Sequence, residues 1–117
     1  SVSLSVKIKC RGKLEGFMFR KNGSYGEAIV VSVQGAPIDI VVANSKQAMV
    51  ELHQFRGVGV SVDDYDVVVV KQGYIFPELK EAGKFCVMSL TNGATPQDTR
   101  IIPFKKIMRP MFPIDDI

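Results

Sequence analysis

The fold is decided by residues 27–43, which read EAIVVSVQGAPIDIVVA. Two runs rich in β-branched residues flank Gly35-Ala36-Pro37, a combination that ends a strand and turns the chain. Both runs have the length and composition of strands. The segment therefore predicts two antiparallel strands, Glu27 to Gln34 and Ile38 to Ala43, joined by a short connection.

The residues before this segment predict further strands. From Val2 to Cys10 apolar and polar residues alternate, which is typical of a strand with one buried and one wet face. Arg11-Gly12-Lys13 can then turn the chain, and Leu14 to Arg20 predicts a shorter strand. Lys21-Asn22-Gly23-Ser24 is a strong turn signal, because Asn-Gly tolerates the backbone angles of tight turns. The first half is thus an antiparallel β-meander of about four strands.

The pattern changes after residue 44. Ser45 can cap a helix, and apolar residues at helical spacing predict a short helix over part of Lys46 to Arg56. Val67 to Val70 are four consecutive valines, which indicates a strand buried on both faces. Pro77 to Ala82 predicts one or two helical turns, and Lys84 to Leu90 predicts the next strand.

These elements predict a single α+β domain over residues 1–117. It consists of the β-meander, a small strand-helix-strand (βαβ-like) segment and an irregular C-terminal tail that contains Pro103, Pro110 and Pro113. No apolar run is long enough to span a membrane, and the N-terminal residues do not form a secretory signal. The chain starts at Ser1 without an initiator Met, which is expected either for a processed protein or for a piece of a longer polypeptide.

Composition excludes several classes of protein. The chain is 46% hydrophobic and 23% charged, which excludes intrinsic disorder and a coiled-coil rod. Its net charge of +3 is mild for a domain of this size. Cys10 and Cys86 match no metal-binding spacing, so we predict two free thiols buried in apolar strands and a reducing, cytoplasmic compartment.

Few residues have the chemistry of a self-contained active site. His53 is the single histidine, and it has no partner at the spacing of a nucleophilic or zinc site, which favours a structural or exposed role. Asp63, Asp64 and Asp66 could offer carboxylates to a hard cation, but they lack the glycine and distal glutamate of a calcium loop. A solvated turn before the valine run is the better interpretation.

Lys71-Gln72-Gly73-Tyr74 is the strongest candidate binding segment. It follows the C-terminal end of the predicted valine strand, where open α/β sheets place their ligands. Lys71 can bind an anion, while Gln72 and Tyr74 offer hydrogen-bonding groups. The alternative is a turn that ends a strand and carries an ordinary surface lysine.

The tail raises the question of nucleic-acid binding. Four basic residues lie near two phenylalanines, a composition found in single-strand binders: Arg100, Lys105, Lys106 and Arg109. No nucleic-acid-binding motif accompanies them, and Asp115 and Asp116 oppose the charge. We therefore expect no nucleic-acid partner and no membrane partner.

Two stretches resemble the C-terminal domain of the MlrC family, the microcystinase C-like metallopeptidases. Residues 64–76, DYDVVVVKQGYIF, are similar to the family's valine strand and the loop after it. Residues 102–115, IPFKKIMRPMFPID, are similar to its closing Arg-Pro-x-x-Pro-Leu-Asp signature. Residues 40–44 and 55–59 also match in order. Where the family writes Lys-Ser-x-x-His-Phe-Arg, this chain keeps Lys71 and Phe76 but has Gln72, Ile75 and Pro77.

The resemblance implies a division of labour. Members are several times longer than this chain and resemble zinc-dependent amide hydrolases whose metal ligands belong to a large N-terminal domain. The family's archetype acts on linear peptide products of a cyclic toxin. This chain would then be the accessory C-terminal domain, without cofactor or activity of its own, packed on the catalytic domain and lining its cleft for a peptide or small-molecule substrate. Its oligomeric state stays open, and the alternative is a stand-alone module for a small anion or nucleic acid.

Overall fold

A computed structural model describes residues 1–18, 24–89 and 96–117, and the chain divides into two compact units, residues 1–86 and 87–117. In the first unit, β1 (Val6–Glu15), β2 (Ser24–Val33) and β3 (Asp39–Ala43) form an antiparallel sheet in the order β1-β2-β3. Helix α1 (Leu52–Gly57), a 3-10 turn (Val62–Asp64) and helix α2 (Pro77–Ala82) follow. The α+β class and the antiparallel meander are therefore confirmed.

The meander has three strands among the described residues, not four. The turn predicted at Arg11-Gly12-Lys13 is wrong, because β1 continues through these residues and pairs with β2 on both sides of them. The residues between positions 19 and 23, which include most of the predicted Asn-Gly turn, lie outside the described residues. The connection at residues 34–37 turns as predicted.

A β-bulge at Lys9 gives the sheet two faces of different character. Ile8 pairs with Val31 and Cys10 pairs with Val30, so Lys9 is an extra residue on β1 and the side-chain alternation reverses there. After the bulge Cys10 and Leu14 lie on the same face as the core. Before it, the apolar side chains lie on the opposite face. The single buried face predicted from Val2 to Cys10 is therefore wrong.

We call the face opposite the core the outer face. It is assigned by cross-strand pairing, because residues directly opposite each other in antiparallel strands share a face. Its apolar members are Val6, Ile8, Ile29, Val31, Val33, Ile40 and Val42.

The core lies on the other face, where α1 and the following segment cover the sheet. Its buried side chains include Leu14, Val30, Phe55 and Val58, and Leu79 of α2 joins them. Helix α1 begins at Leu52, within the predicted range, but its N-cap is Glu51 and not Ser45. The buried Gln54 side chain stabilises this start. Its Oε1 accepts from the backbone N–H groups of residues 50 and 51, and its Nε2 donates to the carbonyl of residue 48.

Helix α2 has the predicted bounds, but the two strands predicted beside it are not formed. Val67–Val70 has no ladder partner and most of its side chains are exposed, and residues 84–89 are likewise unpaired, while Leu90 lies outside the described residues. A valine run forms a strand only where a neighbouring edge supplies hydrogen bonds and cover. Neither is present in the part of the chain that the structure describes.

The second unit is irregular, as predicted for the tail. Its one helical element in the described part is a 3-10 turn at Thr99–Ile101, and Asp98 caps it by accepting from the backbone N–H of Arg100. No helix in the three described ranges is both long enough and apolar enough to cross a bilayer.

Candidate functional site

Three residues anchor the chain around the candidate binding segment (residues 71–74) to the core, one after the other along the sequence. Tyr65 and Val70 pack against the buried cluster, and Leu79 of α2 belongs to it. Between the first two anchors the chain bows outward, leaving Val67 76% and Val69 89% exposed. The valine run is thus held at both ends and presents apolar side chains to solvent in its middle, and the candidate binding segment follows it between Val70 and Leu79.

Lys71 follows the second anchor directly and is exposed. No carboxylate of the described residues lies within ion-pair distance of its ammonium group. Gly73, two residues on, has no neighbouring atom within 4 Å of where a Cβ would stand. Positive charge and open space therefore coincide at this bend.

Gln72 and Tyr74 differ in their surroundings. Gln72 is half-buried, and its Oε1 is buried without a hydrogen-bond partner in the described part of the chain. Tyr74 is exposed and stacks on Phe76 with ring centroids 4.9 Å apart. Lys71, Gln72 and Tyr74 make no hydrogen bond or ring contact with one another among the described residues. A binding role for the three residues stays a prediction.

A polar cluster that was not predicted from the sequence fixes the chain at Tyr65, just before the valine run. Asp39 is central: its Oδ2 accepts from Lys9 Nζ at 2.6 Å and from the Tyr65 hydroxyl at 2.6 Å, and its Oδ1 accepts from Ser32 Oγ at 2.5 Å. The Lys9 ammonium also lies 5.7 Å from the centre of the Tyr65 ring. The bulge residue of β1, both other strands and the segment before the valine run thus meet at one carboxylate.

The cluster shifts the titration of its members. The Lys9 ammonium, followed by the Ser32 and Tyr65 hydroxyls, holds the pKa of Asp39 well below its ordinary value. The same carboxylate raises the pKa of Lys9 and the pKa of Tyr65, because each of these groups donates a hydrogen bond to it and is thereby stabilised in its protonated form. The cluster is therefore charged as an ion pair with a neutral tyrosine at physiological pH.

This arrangement predicts how stability depends on pH. A carboxyl with a lowered folded-state pKa stabilises the fold above its ordinary value near 3.8, and this contribution is lost as the pH falls through the folded-state value. The melting temperature of Asp39→Asn should therefore be lower than wild type at pH 7, and the difference should shrink at pH 3. Thermal unfolding followed by circular dichroism measures this, with the exposed Asp116→Asn as control. A difference that stays constant with pH would contradict the assignment.

The chain was compared with protein families, curated proteins and solved structures. The family model for the MlrC C-terminus matches residues 2–106, which is most of the chain and includes the sheet and the candidate segment. The chain belongs to the family of MlrC C-terminal domains. No curated protein and no solved structure matches it.

In this MlrC C-terminal domain, the residues of the closing signature form hydrogen bonds with one another. The Arg109 guanidinium donates to Asp115, and the other oxygen of Asp115 accepts from the backbone N–H of Met111 at 2.8 Å. These bonds lower the pKa of Asp115. The signature lies beyond the matched residues, and its arginine and aspartate bind each other.

The remaining candidate residues of the MlrC domain are His53 and the aspartates that precede the valine run. His53 Nε2 lies 3.7 Å from Glu15 Oε2, and its ring is 5.2 Å from that of Phe17, in agreement with a structural or exposed role. Asp63 and Asp64 are exposed in the 3-10 turn. Across the described ranges, no three histidine, cysteine or acidic side chains are grouped so that they could hold a metal ion.

The two cysteines differ from each other. Cys10 is partly buried against the core, but Cys86 is exposed, with its Sγ 3.8 Å from the Lys80 carbonyl oxygen. The prediction of a buried thiol is therefore wrong for Cys86. The reason is that the strand predicted around it is not formed.

Proposed function

We propose that this MlrC C-terminal domain completes a larger zinc-dependent peptidase or amide hydrolase, packing on its catalytic domain and presenting Lys71 to the substrate. The observation that carries the proposal is the exposed valine run directly before an exposed lysine without a carboxylate partner. Large apolar side chains grouped on a surface mark an interaction site. A run of strand-forming residues that has no neighbouring strand in the described part of this domain is suited to packing against a partner domain that covers it.

The proposal assigns zinc to the N-terminal catalytic domain. The donors in the described residues do not fit a zinc site, since His53 faces Glu15 and Phe17 and has no second and third ligand beside it. The contribution of this domain is therefore binding and positioning. Lys71 would hold a carboxylate of a peptide substrate, with Gln72 and Tyr74 beside it as hydrogen-bonding groups.

Lys71 suits this role because of what surrounds it. Val70 anchors the preceding residue in the core, so the lysine projects from a fixed point of the backbone. Its ammonium is not neutralised by any described carboxylate, so a substrate carboxylate does not compete with an internal partner. A charge-assisted hydrogen bond made in a cleft that excludes water is stronger than one at an open surface.

The test uses the full-length zinc-loaded protein and a linear peptide with a free carboxylate. Replacing Lys71 with alanine should raise KM about tenfold, because one charge-assisted contact to the substrate is lost. Steady-state kinetics should show a much smaller effect for Lys84→Ala, which removes another exposed lysine of the same unit. Equal kinetics for the two variants would leave Lys71 as a surface residue, and the absence of zinc-dependent hydrolysis would refute the parent activity.

The alternative of nucleic-acid binding has less support. Two of the four basic residues of the tail already have carboxylate partners: Arg100 donates to Asp98 at 2.9 Å, and Arg109 donates to Asp115. Each pairing removes a positive charge that phosphates would need. A small anion at Lys71 remains the stand-alone alternative.

A further inference from the structure

The outer face of the sheet is apolar and lies away from the helices of the unit that contains it. The core cluster contains no outer-face residue, so helices α1 and α2 cover only the opposite face. Ile8 and Val42 are each 49% exposed on the two edge strands, whereas Val31 in the centre is 7% exposed. Its flanking neighbours, Ile8 and Ile40, are paired directly with it.

A water-facing antiparallel sheet normally carries polar residues on its wet side. Here, the positions from Val6 to Ile8 on β1, from Ile29 to Val33 on β2 and from Ile40 to Val42 on β3 present only β-branched apolar side chains on that side. The charged residues that the pairing places on this face, Arg11, Lys13 and its partner Glu27, lie together at one end of the sheet. The pattern is that of a sheet between two layers, one of which is absent from this chain's first unit.

The size of the face discriminates between occupants. Three strands about 4.8 Å apart and roughly seven residues long, at about 3.3 Å per residue, give a footprint of about 330 Å². A stable complex of separate molecules buries about 800 Å² on each partner. A second copy held by this face alone would therefore bind weakly. A domain of the same polypeptide needs less area, because the linkage supplies a high effective concentration.

The distribution of exposed apolar residues also favours a domain of the same polypeptide as the partner that covers the outer face. Val67 and Val69 lie on the segment anchored to the core side, and Ile8 and Val42 lie on the outer face. A two-fold partner covers one patch, the same on each copy. Only a larger body can cover both sides of the sheet.

We infer that the outer face is an interdomain interface, covered by the N-terminal portion of the same MlrC polypeptide. This rests on the proposed function, in that it takes the catalytic domain as the partner. It adds that the partner extends to the side of the sheet away from Lys71. Val42 and Ile8 are then buried in the full-length protein, although they are exposed in the C-terminal domain.

Site-resolved cysteine labelling of the full-length protein tests this. Val42→Cys is compared with Gln34→Cys, an exposed position in the turn of the same hairpin, and alkylation by iodoacetamide is followed by peptide mass spectrometry. In the native protein, Val42→Cys should react at least about tenfold more slowly than Gln34→Cys, and both should react alike in urea. Ile8→Cys gives a second probe on the other edge strand if Val42→Cys does not fold.

Each outcome of the labelling experiment either supports or overturns the inference. Slow labelling that is independent of protein concentration supports the inference. Slow labelling that becomes fast on dilution would show that a second copy covers the face, and fast labelling at both positions would show that nothing does. Either result would overturn the inference. Failure of the proposed function would appear separately, as absent zinc-dependent hydrolysis or unchanged kinetics for Lys71→Ala, because labelling does not depend on activity.

Discussion

Replacing Gly12 with alanine is expected to destabilise the domain by about 3 kcal/mol, because the added methyl group has no space. A Cβ at Gly12 would stand against the Gly57 carbonyl oxygen and 2.9 Å from the Val58 Cα. A Cβ at Gly57 would in turn meet the Lys13 carbonyl oxygen. Strand β1 and the end of helix α1 therefore pack backbone against backbone, and neither side can yield by moving a flexible side chain.

Gly73→Ala is the matched control for this prediction. The same methyl group is added there, but no atom lies within 4 Å of it and the backbone is outside the left-handed region. Urea unfolding of the two variants followed by circular dichroism should give a midpoint near wild type for Gly73→Ala and a large loss for Gly12→Ala. Equal midpoints would mean that the helix does not press on β1 at this point.

Replacing Glu51 with alanine is the second change with a large expected effect, also about 3 kcal/mol. The Glu51 side chain is buried and accepts from the backbone N–H groups of Phe17 and Met18, at 2.9 and 2.7 Å, and from the Tyr25 hydroxyl at 3.3 Å. Its removal takes the acceptor away from the partly buried backbone N–H groups of Phe17 and Met18 and from the buried bond to Tyr25. It also opens a cavity beside the Tyr25 ring.

Two variants separate the acceptor from the volume. Glu51→Gln keeps the shape but replaces one acceptor oxygen by a donor, so it should lose roughly half of the effect. Glu81→Ala removes an exposed carboxylate from α2 and should change the unfolding free energy by less than about 0.5 kcal/mol. If Glu51→Ala is as stable as Glu81→Ala, the carboxylate does not hold the end of β1.

The sequence predicts those elements whose signals are local. β-Branched runs interrupted by Gly35-Ala36-Pro37 specify the β2–β3 hairpin, and Pro77 marks the first residue of α2. Gly12 was misinterpreted because glycine signals a turn in sequence, whereas here it allows close contact with a helix that comes 40 residues later. Such a contact has no local signature.

The valine run shows the opposite failure. Its composition specifies a buried strand, but a strand also needs a neighbour, and the described residues supply none for Val67–Val70. Propensity therefore indicates what the segment can become and not whether a partner is present. Because the run is not paired in a sheet, Lys71 does not stand at the end of a strand, which was the reason for selecting it from the sequence.

The polar cluster around Asp39 escaped detection because its members are far apart in sequence. Lys9, Asp39 and Tyr65 are separated by about 26 to 30 residues from one to the next and meet only through the sheet. One signal was available: aspartate is disfavoured in strands, so Asp39 at the start of a β-branched run called for a partner.

The bulge at Lys9 has a consequence for how this protein tolerates changes in length. Because the extra residue reverses the alternation of β1, the strand serves the outer face in its first half and the core in its second. Removing or adding one residue between Ile8 and Cys10 would exchange these assignments for every position on one side. Insertions and deletions at this point are thus expected to destabilise the domain more than conservative substitutions do, and relatives should conserve the residue count there.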